Sequence, residues 1–308
     1  DHPDGFTGEV AVGENTQFAP TQDFDRAGNN AQVMTLSPRD VVEGFQDLGY
    51  RVSINDWRRL NTSERIESES CDQGQGYVLY DFQGSRVSYP KFRTDYGTCI
   101  SLKNGVWDNG GFDRSRLKII NLPVLKPHGA VYGVTACVKN YMGVVTNTLT
   151  NSHYGVAGGL MGSVMAATGM PDLNILDCIW VYGIPGDGPE VGSGLGTPTN
   201  QLVASADPVA LDIWAATNVL VPLFEANGYS RPWPGPDPDP ANPNGAFRNY
   251  LDRSMERILA DGISVTNELD KIDLYSKSAA VARPGPRRPG DRVDTDRGNV
   301  NDLLHRRP

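Results

Sequence analysis

Lysine and histidine are scarce in this sequence. Its 308 residues include only seven lysines and four histidines, and the formal net charge is −9. A protein that binds nucleic acid needs a basic surface to neutralise phosphates, so no nucleic-acid partner is expected. The chain is long enough for one large domain or two small ones with a sizeable buried core.

Cysteine is scarce as well, with four residues, Cys71, Cys99, Cys137 and Cys178. No pair of them has the C-x-x-C spacing of metal and iron–sulfur sites, so the sequence has no iron–sulfur cluster motif. Cys137 and Cys178 lie in apolar runs, which favours plain core thiols. Cys71 and Cys99 lie in polar sequence, where a disulfide between them is one option if the protein is exported.

Charge is absent from residues 140–171. A membrane-spanning helix needs about 20 consecutive, mostly apolar residues. This run is interrupted by several glycines and by the polar segment TNTLTNSHYG at 146–155. The pattern indicates buried structure in a soluble domain, and no membrane span is expected.

Alternation of strands and helices dominates the hydrophobic pattern. Predicted strands at 8–15 and 50–56 flank a predicted helix at 37–49, with Ser37 as its N-cap. A strand–helix–strand unit is typical of a parallel sheet. The fold class predicted is α/β, with a mainly parallel open sheet and helices on both faces. Further strands are predicted at 116–125, 173–184 and 201–205, and further helices at 132–145, 207–228 and 245–262.

Composition divides the chain into four parts. We expect an α/β domain over residues 1–228, with an irregular insertion at about 58–116. Residues 229–244 form a proline-rich connection that must be extended. A C-terminal helical segment follows at 245–280. The basic, proline-rich tail at 281–308 is expected to be flexible or bound to a partner.

The segment NLPVLKPHGAVYGVTACVKNYMGVV, residues 121–145, places basic side chains in core-like sequence. Lys126 and His128 follow a predicted strand, and ligands of open α/β sheets bind beyond the carboxyl ends of strands. The amides that begin the next helix attract anions. Lys126 could equally be a solvated lysine and His128 a turn cap, but Lys139 is harder to dismiss because lysine is rarely buried without a partner. The pattern indicates a site for a phosphate, a carboxylate or a metal-bound acid.

Other polar residues are weaker candidates. His153 could join His128 as a ligand of a divalent metal or as a general base, or be an ordinary loop histidine. Glu14 and Asn15 end a predicted strand and would point to the same sheet edge.

Two aspartates begin the helix predicted at 207–228. Asp207 is best explained as its N-cap, with Pro208 at the first helical position. Asp212, about one turn further on, could be a buried partner for a lysine.

Two segments, INLPVLKPHGAVYGVTACVKNYMGVV at 120–145 and SADPVALDIWAA at 205–216, resemble the hallmark segments of the domain-of-unknown-function 362 family. VAVGEN at 10–15 fits an early strand of that family, and the resemblance covers roughly residues 8–225. A Lys-Pro-Asn motif typical of an earlier family strand is absent, so that strand is expected to be missing. Some members carry an iron–sulfur module and many have export signals, but the clustered cysteines of that module are lacking here. The resemblance implies one site formed by Lys126, His128, Lys139, Asn140, Asp207 and Asp212.

The leading hypothesis is an enzyme, or a former enzyme, that acts on a small anionic ligand. Lys126 and Lys139 would hold the anion, and His128 would serve as acid, base or metal ligand. Asp207 and Asp212 would orient the lysines or help to hold a metal.

Two alternatives stay open. One is a non-catalytic structural or binding subunit of a larger exported assembly, with a protein partner bound through the proline-rich segment and the tail. The other is a redox accessory protein, suggested by the iron–sulfur relatives. The sequence does not fix the compartment, and a periplasmic or extracellular location is slightly favoured over a cytoplasmic one. No signal peptide is visible in the sequence, which begins at Asp1 without a methionine.

Overall fold

The structure is a computed structural model, and it describes residues 7–15, 24–25, 36–61, 70–129, 132–146, 152–186, 188 and 196–275. The strands are β1 (Val10–Glu14), β2 (Val52–Asp56), β3 (Gly76–Phe82), β4 (Ser85–Arg93), β5 (Cys99–Ser101), β6 (Gly105–Asp108), β7 (Gly111–Asp113), β8 (Ile120–Asn121), β9 (Lys126–His128), β10 (Gly133–Thr135), β11 (Leu173–Tyr182) and β12 (Gly196–Ser205). The α-helices are α1 (Pro38–Asp47), α2 (Cys137–Asn140), α3 (Ser152–Ala157), α4 (Leu160–Thr168), α5 (Pro208–Ala215), α6 (Val221–Ala226) and α7 (Ala246–Ala260).

The prediction of a mainly parallel open sheet is wrong. The described strands form four small sheets, and the largest is the antiparallel sheet β3-β4-β5-β6-β7. Parallel pairing within the described ranges is limited to β1 with β2 and to β8 with β11. The fold is mixed α/β, built mostly from antiparallel pairs.

The five-stranded sheet occupies most of the segment predicted as an irregular insertion. Its tight turns explain the antiparallel order, because residues at positive φ allow two-residue hairpins. Gln83 and Gly84 (φ 49° and 72°) connect β3 to β4, and Asn109 and Gly110 (φ 47° and 94°) connect β6 to β7. An Asn-Gly pair is a strong hairpin pattern that the sequence analysis passed over.

The predicted strand at 116–125 and helix at 132–145 are also wrong in detail. Proline has no amide hydrogen to donate, and Pro123 and Pro127 interrupt this stretch. β8 therefore pairs with β11 over only two residues, with one further bridge from Val124 to Asp177. Lys126 then enters the antiparallel hairpin β9–β10, and Gly133 begins β10 at φ +74°. The helix that follows is only the four-residue α2.

Local start rules were sound at two helices. The Ser37 side chain accepts a hydrogen bond from the amide of Asp40 and forms a capping box at α1. Asp207 caps α5 through the amides of Val209 and Ala210.

The helical stretch Pro208–Ala226 contains a π-helical turn at Ala216–Leu220. Pro222 has no amide hydrogen, so it cannot donate the backbone hydrogen bond that an α-helix would need at that point. By length and composition the stretch could span a bilayer, but 67% of the window concerned is buried, as in a core helix.

The proline-rich segment packs against the main body. Trp233 is buried, with its ring 5.7 Å from that of Phe224. Arg231 forms ion pairs with Glu225 and Asp239. Beyond this segment, α7 buries its apolar face against α4, and Tyr250 Oη donates to the carbonyl of Val134 at 3.0 Å.

Candidate functional site

Lys139 is the most unusual side chain in the described part of the protein. It lies in α2, its residue is 1% exposed, and its Nζ has no hydrogen-bond partner among the described residues. Nζ lies over the ring of Tyr132, 4.9 Å from its centroid. Burial, with a smaller contribution from the nearby charge of Lys126, lowers the pKa of Lys139 to about 7.

Lys126 and Glu14 form the solvent side of this site. Lys126 is half-buried in β9, and burial lowers its pKa while the charge of Glu14 opposes that shift. Glu14 ends β1, and crowding by the protein raises its pKa although solvent reaches the side chain.

Asn15 fastens the end of β1 to the turn that follows α2. Its Nδ2 donates to the carbonyl of Met142 at 3.0 Å and to that of Val145 at 2.5 Å, and its amide donates to Gly143. Gly143 lies so close to Glu14 that a Cβ there would be 3.4 Å from Cγ of Glu14. Asn15 thus holds Glu14 beside the turn that follows α2, the helix in which Lys139 lies.

His128 is a second neighbour of Tyr132. Its Nδ1 is 2.8 Å from Thr135 Oγ1 across the hairpin, and its ring packs edge-on to Tyr132 at 4.9 Å between centroids. Tyr132 therefore contacts both His128 and Lys139. The side chain of His153 lies outside what the structure describes.

The described residues leave the predicted metal site untested, because the side chain of His153 is not among them. Within the described ranges, no group of three or more His, Cys, Asp or Glu side chains could hold a metal ion. A divalent metal bound by His128 and His153 stays a prediction.

Asp212 accepts hydrogen bonds from the amides at the start of α2, where the sequence predicts a bound anion. Its Oδ1 accepts from the amide of Cys137 at 2.7 Å and its Oδ2 from that of Val138 at 3.0 Å, so it occupies the amides that begin α2. Burial raises its pKa to about 7, against the effect of these two hydrogen bonds. Asp207 binds the amide of Thr266 in addition to capping α5. Among the residues described, no ion pair joins either aspartate to a lysine, so both aspartates shape the backbone near the site.

A series of hydrogen-bonded asparagine side chains connects α2 to the strands β8 and β11. Asn140 Nδ2 donates to Asn121 Oδ1 at 2.7 Å, and Asn121 Nδ2 donates to Asn174 Oδ1 at 2.9 Å. Asn174 in turn donates to the carbonyl of Ser205. Asn121 and Asn174 were missed by the sequence analysis, although an asparagine inside an apolar strand is an indication of a buried polar contact.

Cys71 and Cys99 are not joined in the structure. Cys71 is an exposed thiol and Cys99 a buried one, while Cys137 and Cys178 are buried free thiols as expected. Burial raises the pKa of Cys99, which makes its thiol less reactive. The disulfide stays a prediction for oxidising conditions.

Comparison with known families places Lys126, His128 and Lys139 inside a recognised domain. Residues 116–217 match the model of a family described as Domain of unknown function (DUF362), so this part of the chain is a DUF362 domain. The match covers about a third of the chain and includes both hallmark segments. Neither the curated proteins nor the solved structures gave a significant match. The resemblance is confirmed for 116–217 and stays a prediction for the rest of 8–225.

Proposed function

We propose that this protein binds a small carboxylate or phosphate between Lys126 and Lys139. The observation that carries this proposal is the buried Nζ of Lys139, which has no hydrogen-bond partner among the described residues. An unpaired ammonium group is costly to bury, and a cation–π contact with Tyr132 offsets only about 0.5–2 kcal/mol of that cost. A bound anion would supply both the missing charge and the missing acceptors.

Charges around Lys139 support the same proposal. Among the described residues, the neighbouring charge that shifts its pKa is another cation, Lys126. Two adjacent cations repel each other, and an anion between them would relieve that repulsion. Glu14 opposes Lys126 at the solvent side, so the site keeps a positive balance when both lysines are protonated.

A catalytic role at this site is part of the proposal. His128 is oriented by its contact with Thr135, and an oriented imidazole is suited to acid or base chemistry. The raised pKa of Glu14 brings that carboxyl group nearer to neutral pH, where it could also move a proton.

Titration calorimetry with oxalate and with inorganic phosphate tests the proposal. We expect binding of at least one of the two anions, weakened at least about tenfold in Lys126→Ala and in Lys139→Met, since each removes a charge that contacts the anion. Lys118→Ala is the matched control, because Lys118 is an exposed lysine paired with Asp172. Absence of binding, or equal affinities in all four proteins, would contradict the proposal.

A second candidate, a binding subunit of a larger assembly, is favoured by one surface. Ile120, Val124 and Leu202 are exposed, and their pairing with β11 places them on one face of the sheet β8-β11-β12. An exposed apolar sheet face is typical of a protein interface. Light scattering of Leu202→Asp beside the unmodified protein tests it: loss of an oligomer on substitution supports the subunit role, and a monomer in both counts against self-association.

A further inference from the structure

Lys139 has the surroundings of an amine that reacts with carbonyl groups. Only an unprotonated amine attacks a carbonyl carbon, and an ordinary lysine is almost fully protonated at neutral pH. Two conditions remove the proton, desolvation and a neighbouring cation, and both hold here. The Lys139 side chain is almost fully buried and Lys126 is the charge beside it.

We propose that Lys139 forms an imine with a small carbonyl acid, such as a 2-oxo acid, whose carboxylate is held by Lys126. The inference rests on the proposed anion site and names its substrate class. Lys126 is the more exposed of the two lysines, so the carboxylate would bind nearer to solvent and the carbonyl would point inwards to Lys139.

The condensation needs no oxidant or reductant. The lone pair of Nζ attacks the carbonyl carbon, the carbonyl oxygen takes up a proton and the nitrogen loses one, which gives a neutral carbinolamine. The hydroxyl group is then protonated, the carbon–oxygen bond breaks and water leaves as the carbon–nitrogen double bond forms, and the nitrogen loses its second proton to give the imine. Glu14 is placed to exchange these protons, because it interacts with Lys126 on the solvent side of the site.

Other lysines near the core lack this combination. Lys91 is equally buried, but its Nζ is paired with Asp72 at 2.7 Å. Lys103 Nζ donates to Tyr80 Oη at 2.7 Å; burial lowers the pKa of Lys103, and the charge of Asp261 opposes that shift. Each of these two Nζ atoms has an acceptor beside it, whereas Nζ of Lys139 has none among the described residues, so these lysines serve as internal controls.

Reductive trapping with pyruvate and cyanoborohydride at pH 7 tests the inference on the full chain. Peptide mass spectrometry should locate a reduced adduct at Lys139 that forms at least about tenfold faster than at Lys91, Lys103 or Lys118, since more of its amine is unprotonated. Lys139→Arg keeps a cation but cannot form an imine, so the fast adduct should disappear. Equal labelling of all lysines, or no label on Lys139, would overturn the inference even if Lys139→Arg failed to fold.

Competition with oxalate separates this inference from the proposed function. Oxalate has two carboxylates but no ketone or aldehyde, so it can occupy the anion site without forming an imine. If oxalate binds and pyruvate leaves no adduct on Lys139, the anion site stands and the imine inference fails. If neither binds, both fail; if oxalate slows the Lys139 adduct and spares the slow labelling of Lys118, both are supported.

Discussion

Two of the described lysines are fully buried, and the protein holds them differently. Lys91 lies in the five-stranded sheet, with its Nζ 2.7 Å from Asp72 and 5.7 Å from the ring centroid of Phe112. Lys139 lies in α2 at the same depth, and among the described residues its Nζ contacts the ring of Tyr132 and has no hydrogen-bond partner. The bend ahead of β3 thus supplies a counter-ion for the lysine of the sheet.

The difference teaches where function is to be expected. A buried charge is normally paired within the fold, as Lys91 is. A buried charge left without a partner weakens the fold and persists only where something else is gained. Under the proposed function, Lys139 is kept for a ligand, while Lys91 is paired within the fold.

Lys139→Met should give the largest effect, and it should be a gain in stability. The substitution removes an unpaired buried ammonium group and keeps the length of the side chain, while the methionine sulfur can still contact Tyr132. We expect the free energy of unfolding at pH 7 to rise by a few kcal/mol, on the order of the cost implied by a pKa lowered to about 7. Urea unfolding measures it, and a destabilised variant would reveal a partner for Lys139.

Asp212→Ala should destabilise the protein by about 2 kcal/mol. The amides of Cys137 and Val138 lose their acceptor, at about 1–3 kcal/mol for each buried group, and relief of the buried carboxylate offsets part of the loss. Asp207→Ala is the control, with an expected loss of about 1 kcal/mol for an N-cap. Only Asp212→Ala should also weaken oxalate binding, because it loosens the start of α2, the helix that carries Lys139. Equal effects of both variants on oxalate affinity would show that the start of α2 does not position the site.

The pH dependence of stability should separate Lys139 from the rest of the molecule. Its pKa is lowered from 10.5 to about 7, so between these values the unfolded chain binds more protons than the folded protein. The free energy of unfolding should therefore rise with pH, by up to about 1.4 kcal/mol per pH unit, and the penalty is complete below pH 7. Lys126 acts in the same direction.

The difference between the unmodified protein and Lys139→Met isolates this contribution. Buried Cys137 and Cys178 have raised pKa values and act in the opposite direction above about pH 9, so urea titrations belong between pH 7 and 8.5. Parallel curves for the two proteins in that window would show that Lys139 keeps an ordinary pKa.

Lys91→Met should give the smallest effect. Asp72 has 55% of its side chain exposed, so its carboxylate regains water when the lysine is removed. We expect a loss of at most about 1 kcal/mol and no change in oxalate affinity. A loss of oxalate binding would mean that the comparison between the two lysines does not hold.

Local sequence rules located much of the fold but not its sheet order. Ser37 and Asp207 cap helices where predicted, because capping depends on a few neighbouring residues. The pairing partner of a strand depends on distant residues and on turns. The Asn109-Gly110 turn was the available indication of an antiparallel hairpin, and Pro123 was the indication that β8 had to be short.

The residues of the candidate site were selected from the sequence, and their roles stay predictions. Lys126, Lys139 and His128 were selected because basic residues are rare in apolar sequence. The hydrogen bonds of Asp212 to the amides of Cys137 and Val138 could not be predicted, since these partners lie 75 and 74 residues away. Tyr132 was missed because an aromatic residue in a core segment carries no sign of its contact with an ammonium group.

The most direct test is the pKa of Lys139, measured by NMR on protein labelled at the lysine side chains, with and without oxalate. We expect the resonance that is absent from Lys139→Arg to titrate at about 7 in the free protein. Oxalate should raise that pKa, because an anion favours the ammonium form. A pKa near 10.5 that oxalate leaves unchanged would contradict the proposal that Lys139 is a buried lysine that binds an anion.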